Sequence, residues 1–185
     1  MTETVKIEKY ILGNEVTIAT DTVSCEYVDE AGNSMSPEDR EAFYTGDEYR
    51  AEAIEGEISV RPEDVCRNMG ELLESSEEFF KTGNIHIAGL ALANLSYTAE
   101  DISRSSAIKK VIGKCILNKD TPGHYVLYTS GRVSEGIIRL CINAGIGTIV
   151  SKSAVTNRAL GLALEKGITV YGFVSKSKAN KYLSL

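Results

Sequence analysis

The sequence predicts an α/β domain built around a parallel sheet, on three observations. The stretch 124–173 holds three apolar runs, 124–128, 147–150 and 168–173, rich in β-branched and aromatic residues and short enough for buried strands. Between them lie segments 133–144 and 154–166, where Ile137, Ile138 and Cys141, then Leu160, Leu162 and Leu164, follow a 3.6-residue period. Each segment is closed by a glycine, Gly145 or Gly167, as helices commonly are. The order is βαβαβ, for which a right-handed crossover is the strong default.

Upstream, residues 5–12 and 15–28 alternate polar and apolar side chains around Gly13 and Asn14, the pattern of a β-hairpin. Residues 29–49 are charged and punctuated by Gly32, Asn33, Pro37 and Gly46, and read as a loop around a short helix capped at Ser36. Residues 51–60 suit another strand. One helix is predicted over 61–81, with Pro62 at its start, Glu63 and Asp64 in its first turn, Met69, Leu72, Leu73, Phe79 and Phe80 along it, and Gly83 beyond its end. Residues 85–94 are small and apolar enough for a central strand, with 95–102 as its hairpin partner. Residues 104–117 read as an amphipathic helix, Ala107, Val111, Ile112 and Cys115 inward and Lys109, Lys110 and Lys114 outward. The chain thus divides into a β-rich segment over 1–60 and an α/β core over 61–185.

A chain of 185 residues suits one domain, or one with an appended subdomain, and its 43% hydrophobic and 25% charged content is that of a globular protein. The first thirty residues are scattered with acids and lack the basic flank and apolar core of a signal peptide, so a cytosolic protein is expected. Cys25, Cys66, Cys115 and Cys141 are too far apart for a CxxC pair, and His86 and His124 add no zinc-type spacing; reduced, separate thiols and no metal site are expected. Charge is divided unevenly. Residues 1–100 carry 22 acids against 7 bases, a net −15, and residues 101–185 carry 4 acids against 13 bases, a net +9. A basic half built on βαβ units favours an anionic ligand and an acidic half discourages broad nucleic-acid binding; alternatively the two halves pair with each other.

The loop after the first parallel strand, Thr129-Ser130-Gly131-Arg132, leads into a helix whose first turn carries Ser134 and Glu135. Open α/β sheets bind ligands beyond the carboxyl ends of their strands, where helix N-termini offer free N–H groups and partial positive charge. Ser130, Gly131 and Arg132 therefore form a candidate phosphate loop. The alternative is an ordinary strand-to-helix turn, with a serine as N-cap and Arg132 pairing with Glu135. His86, at the entry of its strand, is either a ligand or a hydrogen-bonded structural residue.

After the long helix the order β-β-α-β-α-β-α-β resembles the three-layer α/β/α plan of the cytidine deaminase-like fold, here with a small β-rich N-terminal extension. The residues resemble the formate dehydrogenase accessory sulfurtransferase family, in that family's order: Arg61-Pro62-Glu63-Asp64, the run from Phe80 to His86, Glu100-Asp101-Ile102 with Arg104 and Ala107, and Lys110-Val111-Ile112-Gly113. Next come Thr129 through Ser134, Ala144-Gly145-Ile146, Ser153-Ala154 with Thr156, and Gly167-Ile168-Thr169 with Gly172-Phe173. The resemblance implies a cytoplasmic homodimer that takes sulfur as a persulfide from a cysteine desulfurase. It would pass that sulfur to the molybdenum (or tungsten) bis(molybdopterin guanine dinucleotide) cofactor of formate dehydrogenase. It also implies a cofactor pocket formed by Ser130, Gly131, Arg132 and Ser134, by His86 and Arg104, and by Phe173, Val174, Ser175, Lys176, Ser177 and Lys178. Without that carry-over, the last segment reads as a basic C-terminal tail.

Departures from the family bear on the sulfur chemistry. Of the family's CGxCG loop, Cys25 falls on the first cysteine and Val28 on the second. The family's subdomain before that loop has no counterpart among the 24 residues that precede Cys25, and its arginine-histidine-asparagine triplet becomes Arg104-Ser105-Ser106. A sulfur carrier needs a thiolate beside positive charge, whereas Glu26, Asp29 and Glu30 flank Cys25 and would raise its pKa. Two functions follow: a sulfurtransferase-like accessory protein with Cys25 as carrier, or a module that binds a nucleotide, a molybdopterin-type ligand or a partner without transferring sulfur. A deaminase would need a His-x-Glu and Cys-x-x-Cys set, which this sequence lacks.

Overall fold

The computed structural model describes residues 2–12, 16–26 and 58–184. Strands β1 (Thr2–Leu12) and β2 (Val16–Glu26) form the expected antiparallel hairpin. Helices α1 (Pro62–Glu74) and α2 (Glu77–Thr82) precede a second hairpin, β3 (His86–Ala91) and β4 (Leu95–Asp101). Then α3 (Arg104–Leu117) leads to the alternating run β5 (Val126–Thr129), α4 (Glu135–Asn143), β6 (Thr148–Ser151), α5 (Asn157–Glu165) and β7 (Thr169–Gly172), and β8 (Lys178–Ser184) follows.

These strands form one eight-stranded sheet in the order β2-β1-β8-β7-β6-β5-β3-β4. Only β5, β6 and β7 are parallel to one another, with Leu127 beside Ile149 and Ile149 beside Val170; the other pairings are antiparallel. The parallel strands are apolar throughout because both faces are covered. Leu127, Ile149 and Val170 pack with Val111 of α3, Ile138 of α4 and Leu160 of α5, while Val126, Tyr128, Val150 and Tyr171 pack on the opposite face against Val65, Met69 and Leu72 of α1. The result is the expected three-layer α/β/α arrangement. Among the described residues no helix is long and apolar enough to cross a membrane, and no cluster of histidine, cysteine and acidic side chains suits a metal ion.

Three elements differ from the sequence reading. The helix expected over 61–81 breaks at Ser75 and Ser76. Ser76 is extended (φ −119°, ψ 106°) and its side chain accepts from the Phe79 amide at 3.0 Å, so a local cap outcompetes helix continuation. The segment 173–178, for which a basic tail is the alternative reading, leads instead into a strand the sequence does not predict, β8, wedged between β7 and β1, which joins the N-terminal hairpin to the main sheet. Of the strand expected over 51–60, residues 58–60 are not extended into the sheet, and 51–57 lie outside the described residues, as does the loop 29–49.

Strand β4 is the outer edge of the sheet. Ile87 exchanges its backbone hydrogen bonds on the β5 side, so its cross-strand partner Glu100 turns its carbonyl outward, as does Thr98 two residues earlier. Both carbonyls are taken by α3: Lys110 Nζ donates to the Glu100 oxygen at 3.1 Å and Lys114 Nζ to the Thr98 oxygen at 2.6 Å.

Candidate functional site

The carboxyl ends of β5, β6 and β7 are held in fixed register by serine side chains. The Ser151 hydroxyl donates to the Gly131 carbonyl at 2.8 Å and the Ser153 hydroxyl to the Ser130 carbonyl at 2.8 Å, joining the loops after β5 and β6. Val133 N donates to Ala154 O and Thr156 N to Val133 O, both at 3.0 Å, which zips the entrances of α4 and α5 together. Phe173 N then donates to Ser153 O at 3.1 Å, adding the loop after β7. Phe173 adopts φ 53°, unusual for a bulky side chain, and is 49% exposed.

Beside these loops opens a groove of about 670 Å³. One wall is the β4–α3 junction, Ile102, Ser103, Arg104 and Ser105; the other is Gly131, Arg132 and Ser153, with His86 at the entry of β3. Ser103 is the N-cap of α3, its hydroxyl accepting from Ser106 N at 3.4 Å, so the positive end of a 14-residue helix adjoins the groove. The groove is cationic. Arg61, Arg67 and Arg139 all pair with carboxylates, whereas neither Arg104 nor Arg132 makes a hydrogen bond or ion pair with a described residue. Burial, and then the neighbouring Arg104 guanidinium, hold the His86 imidazole below the ordinary histidine pKa, which favours its neutral form.

Of the candidate residues, His86, Arg104, Gly131 and Arg132 meet in this groove. Ser130 is buried beneath it, its hydroxyl accepting from Ile87 N, and Ser134 caps α4 through its backbone alone. The segment after β7 rises along the same sheet edge but turns toward α1: Val174 is buried on that face, Ser175 N donates to Lys178 O at 2.8 Å, and Lys176 pairs with Glu74. Ser177 N donates to the Ser175 hydroxyl, and Lys178 opens β8 opposite Ile11. Ser103, Ser105 and Ile102 join the groove although their residue types gave no ligand signal. The N-cap serine just before the periodic helix pattern is the feature that could have pointed there.

Cys25 lies elsewhere. It sits near the end of β2, in register with Glu3, whereas the end of the hairpin that shares the groove's sheet edge is the Ile11–Thr17 pair, next to Lys178 of β8. Eight residues of β1 separate Ile11 from Glu3, about 27 Å along the strand, and five strand steps, about 24 Å, separate β2 from β5. Within one chain Cys25 and the groove are therefore at opposite ends of the sheet. The other three cysteines are buried, and desolvation pushes the Cys66 thiol up to about 11, the Cys141 thiol up to about 12, and Cys115 upward too.

The model of the FdhD/NarQ family matches residues 5–184, nearly the whole chain. A protein named sulfur carrier protein FdhD from Geobacillus kaustophilus is 35% identical over 144 residues, covering 77% of this chain and 55% of that protein. One of the same name from Sulfurisphaera tokodaii is 37% identical over 123 residues, covering 64% of this chain and 48% of that protein. The chain thus spans about half the length of these relatives. A crystal structure of a Desulfotalea psychrophila protein, assigned as a formate dehydrogenase accessory protein, superposes with a TM-score of 0.66 over 95% of each chain at 19% identity, a likeness of fold.

Proposed function

The chain belongs to the FdhD/NarQ family, and from that premise we propose that it is a formate dehydrogenase accessory protein whose groove holds the phosphate-bearing part of the enzyme's molybdenum bis(molybdopterin guanine dinucleotide). The observation that carries this reading is the convergence of two guanidiniums, Arg104 and Arg132, each without a partner among the described residues, on a serine-lined groove at the carboxyl edge of a parallel sheet. A pyrophosphate supplies the charge that these arginines lack, and charge-assisted hydrogen bonds from guanidinium to phosphate are among the stronger polar contacts. The Ser103, Ser105 and Ser153 hydroxyls and the N-terminus of α3 suit the remaining phosphate oxygens. The cofactor is cargo here, and the protein's part is to bind and orient it. Titration with guanosine diphosphate, half of the nucleotide portion, tests this: the Arg104→Ala/Arg132→Ala double variant should bind at least about 100-fold more weakly, since hydrogen bonds to charged groups are worth about 1.5–3 kcal/mol each. No binding by the unaltered protein would overturn the reading.

The name sulfur carrier protein borne by the relatives extends the proposal to sulfur delivery, with Cys25 as carrier and a cysteine desulfurase as donor. The Cys25 thiolate would attack the outer sulfur of the donor's persulfide, breaking that S–S bond, forming the Cys25 persulfide and releasing the donor's thiolate. The placement of Cys25 at the far end of the sheet favours a second reading, a binding module without sulfur transfer. Intact-mass measurement after incubation with a cysteine desulfurase and cysteine separates the two. A gain of one sulfur in the unaltered protein that is missing in Cys25→Ala supports the carrier, and no gain in either supports the module.

A further inference from the structure

Resting on the anion-binding reading above, we propose that His86 makes the groove a proton-linked site: the imidazole takes up one proton from solvent when a phosphate-bearing anion binds and returns it when the anion leaves. The geometry begins at Gly131. A Cβ built there would stand 2.9 Å from Arg104 Cβ, 3.2 Å from Arg104 Cδ and 3.3 Å from His86 Nδ1, so only a glycine lets Arg104 and His86 close together against the loop after β5, side by side in the wall of the groove. The backbone that presents the ring belongs to a strand rather than a loop, because Ile87, the next residue, is tied to the loop after β5 through Ser130.

The charges around His86 leave its proton unsupported while the groove is empty. From α3 comes Arg104, and from the loop after β5 comes Arg132; the loop after β6 contributes Ser153, which is neutral. Among the described residues the acid beside it is Asp101, its cross-strand partner on β4, and that carboxylate is already engaged by Lys110 Nζ at 2.6 Å and by the Ser103 amide at 2.8 Å. An anion bound in the groove beside Arg104, Arg132 and His86 reverses this balance: it offsets both guanidiniums and gives an N–H of the imidazolium an acceptor. Both effects favour the charged ring, so binding and protonation reinforce each other. The site then weakens for phosphate-bearing anions as pH rises through neutrality.

Calorimetric titration with guanosine diphosphate, run at pH 7 in two buffers of different ionisation enthalpy, measures the protons taken up. The unaltered protein should take up close to one proton more per ligand than His86→Gln, and its affinity should fall between pH 6 and pH 8 by up to about tenfold per unit while that of His86→Gln stays flatter. Equal proton uptake and equal pH slopes in the two proteins would overturn the proposal while leaving nucleotide binding intact. Absence of binding in the unaltered protein would instead remove the anion site itself. If His86→Gln does not fold, the C2 proton resonances of the chain's two histidines decide the matter in the unaltered protein. One of them should titrate at higher pH with nucleotide than without, and coincident curves would refute the coupling.

Discussion

Ser130 and Ile87 are bound to each other twice: the Ile87 amide donates to the Ser130 hydroxyl at 3.0 Å, and the Ser130 amide donates to the Ile87 carbonyl at 3.0 Å. This double bond extends the β3–β5 ladder past the end of β5 with a side chain where the backbone alone no longer reaches. Ser130→Ala should strand a buried amide and cost about 1–3 kcal/mol in urea unfolding. A loss below about 0.5 kcal/mol would mean that water or a shifted loop satisfies Ile87.

Thiol chemistry offers a second test. Burial raises the three described thiols, Cys66 to about 11 and Cys141 to about 12, so almost none of those two is thiolate at pH 8, and Cys115 is shifted the same way. A native-state titration with a disulfide reagent should therefore find no more than one fast thiol, and all four only after denaturation. Retention of the fast phase in Cys25→Ala would place a reactive thiol where the packing argues against one.

Asp64 supports the start of α1. Arg61 Nε donates to it at 2.8 Å and Arg67 at 2.5 Å, and these bonds, Arg61 first, hold its carboxyl below the ordinary aspartate pKa. Because the folded value is the lower one, the stabilisation is present above the unfolded pKa of about 3.9 and is lost as pH falls through the folded value. Asp64→Asn should cost about 0.5–1 kcal/mol at pH 7, as partly exposed ion pairs do, with the gap closing below about pH 3. A constant gap across that range would assign the loss to packing instead.

The two lysine contacts along β4 predict behaviour in concentrated solution. With its outward carbonyls occupied, β4 is a poor template for another strand. Lys110→Ala/Lys114→Ala should associate further with concentration in sedimentation velocity, relative to the unaltered protein. Identical sedimentation would show that the irregularity between Leu90 and Ala91 already blocks the edge.

The parallel core was legible because its signals are local. Runs of β-branched residues, 3.6-residue periods and the closing glycines Gly145 and Gly167, both at positive φ, fix each element within a few residues. Strand β8 was not legible: residues 178–184 alternate weakly, and their pairing with β1 depends on residues about 170 positions away. The break at Ser75–Ser76 was hidden because the apolar period continues across it to Phe79. At the site, His86, Arg104, Gly131 and Arg132 were found as separate candidates, while their meeting in one groove depends on β3 lying next to β5. The separation of Cys25 from them is likewise a matter of strand order, which no local pattern carries.

The position of β8 also sets an order of assembly during synthesis. The β1–β2 hairpin is synthesised before β3 to β7, yet its link to the rest of the sheet, β8, is synthesised after them. Until residues 178–184 are available, β1 has no neighbour on that side, and β7, completed at Gly172, lacks its outer partner. The loops around the groove, by contrast, belong to strands β3 to β7, which pair among themselves. A nascent chain can therefore shape the loops around its groove before strands β1 and β2 have found their place.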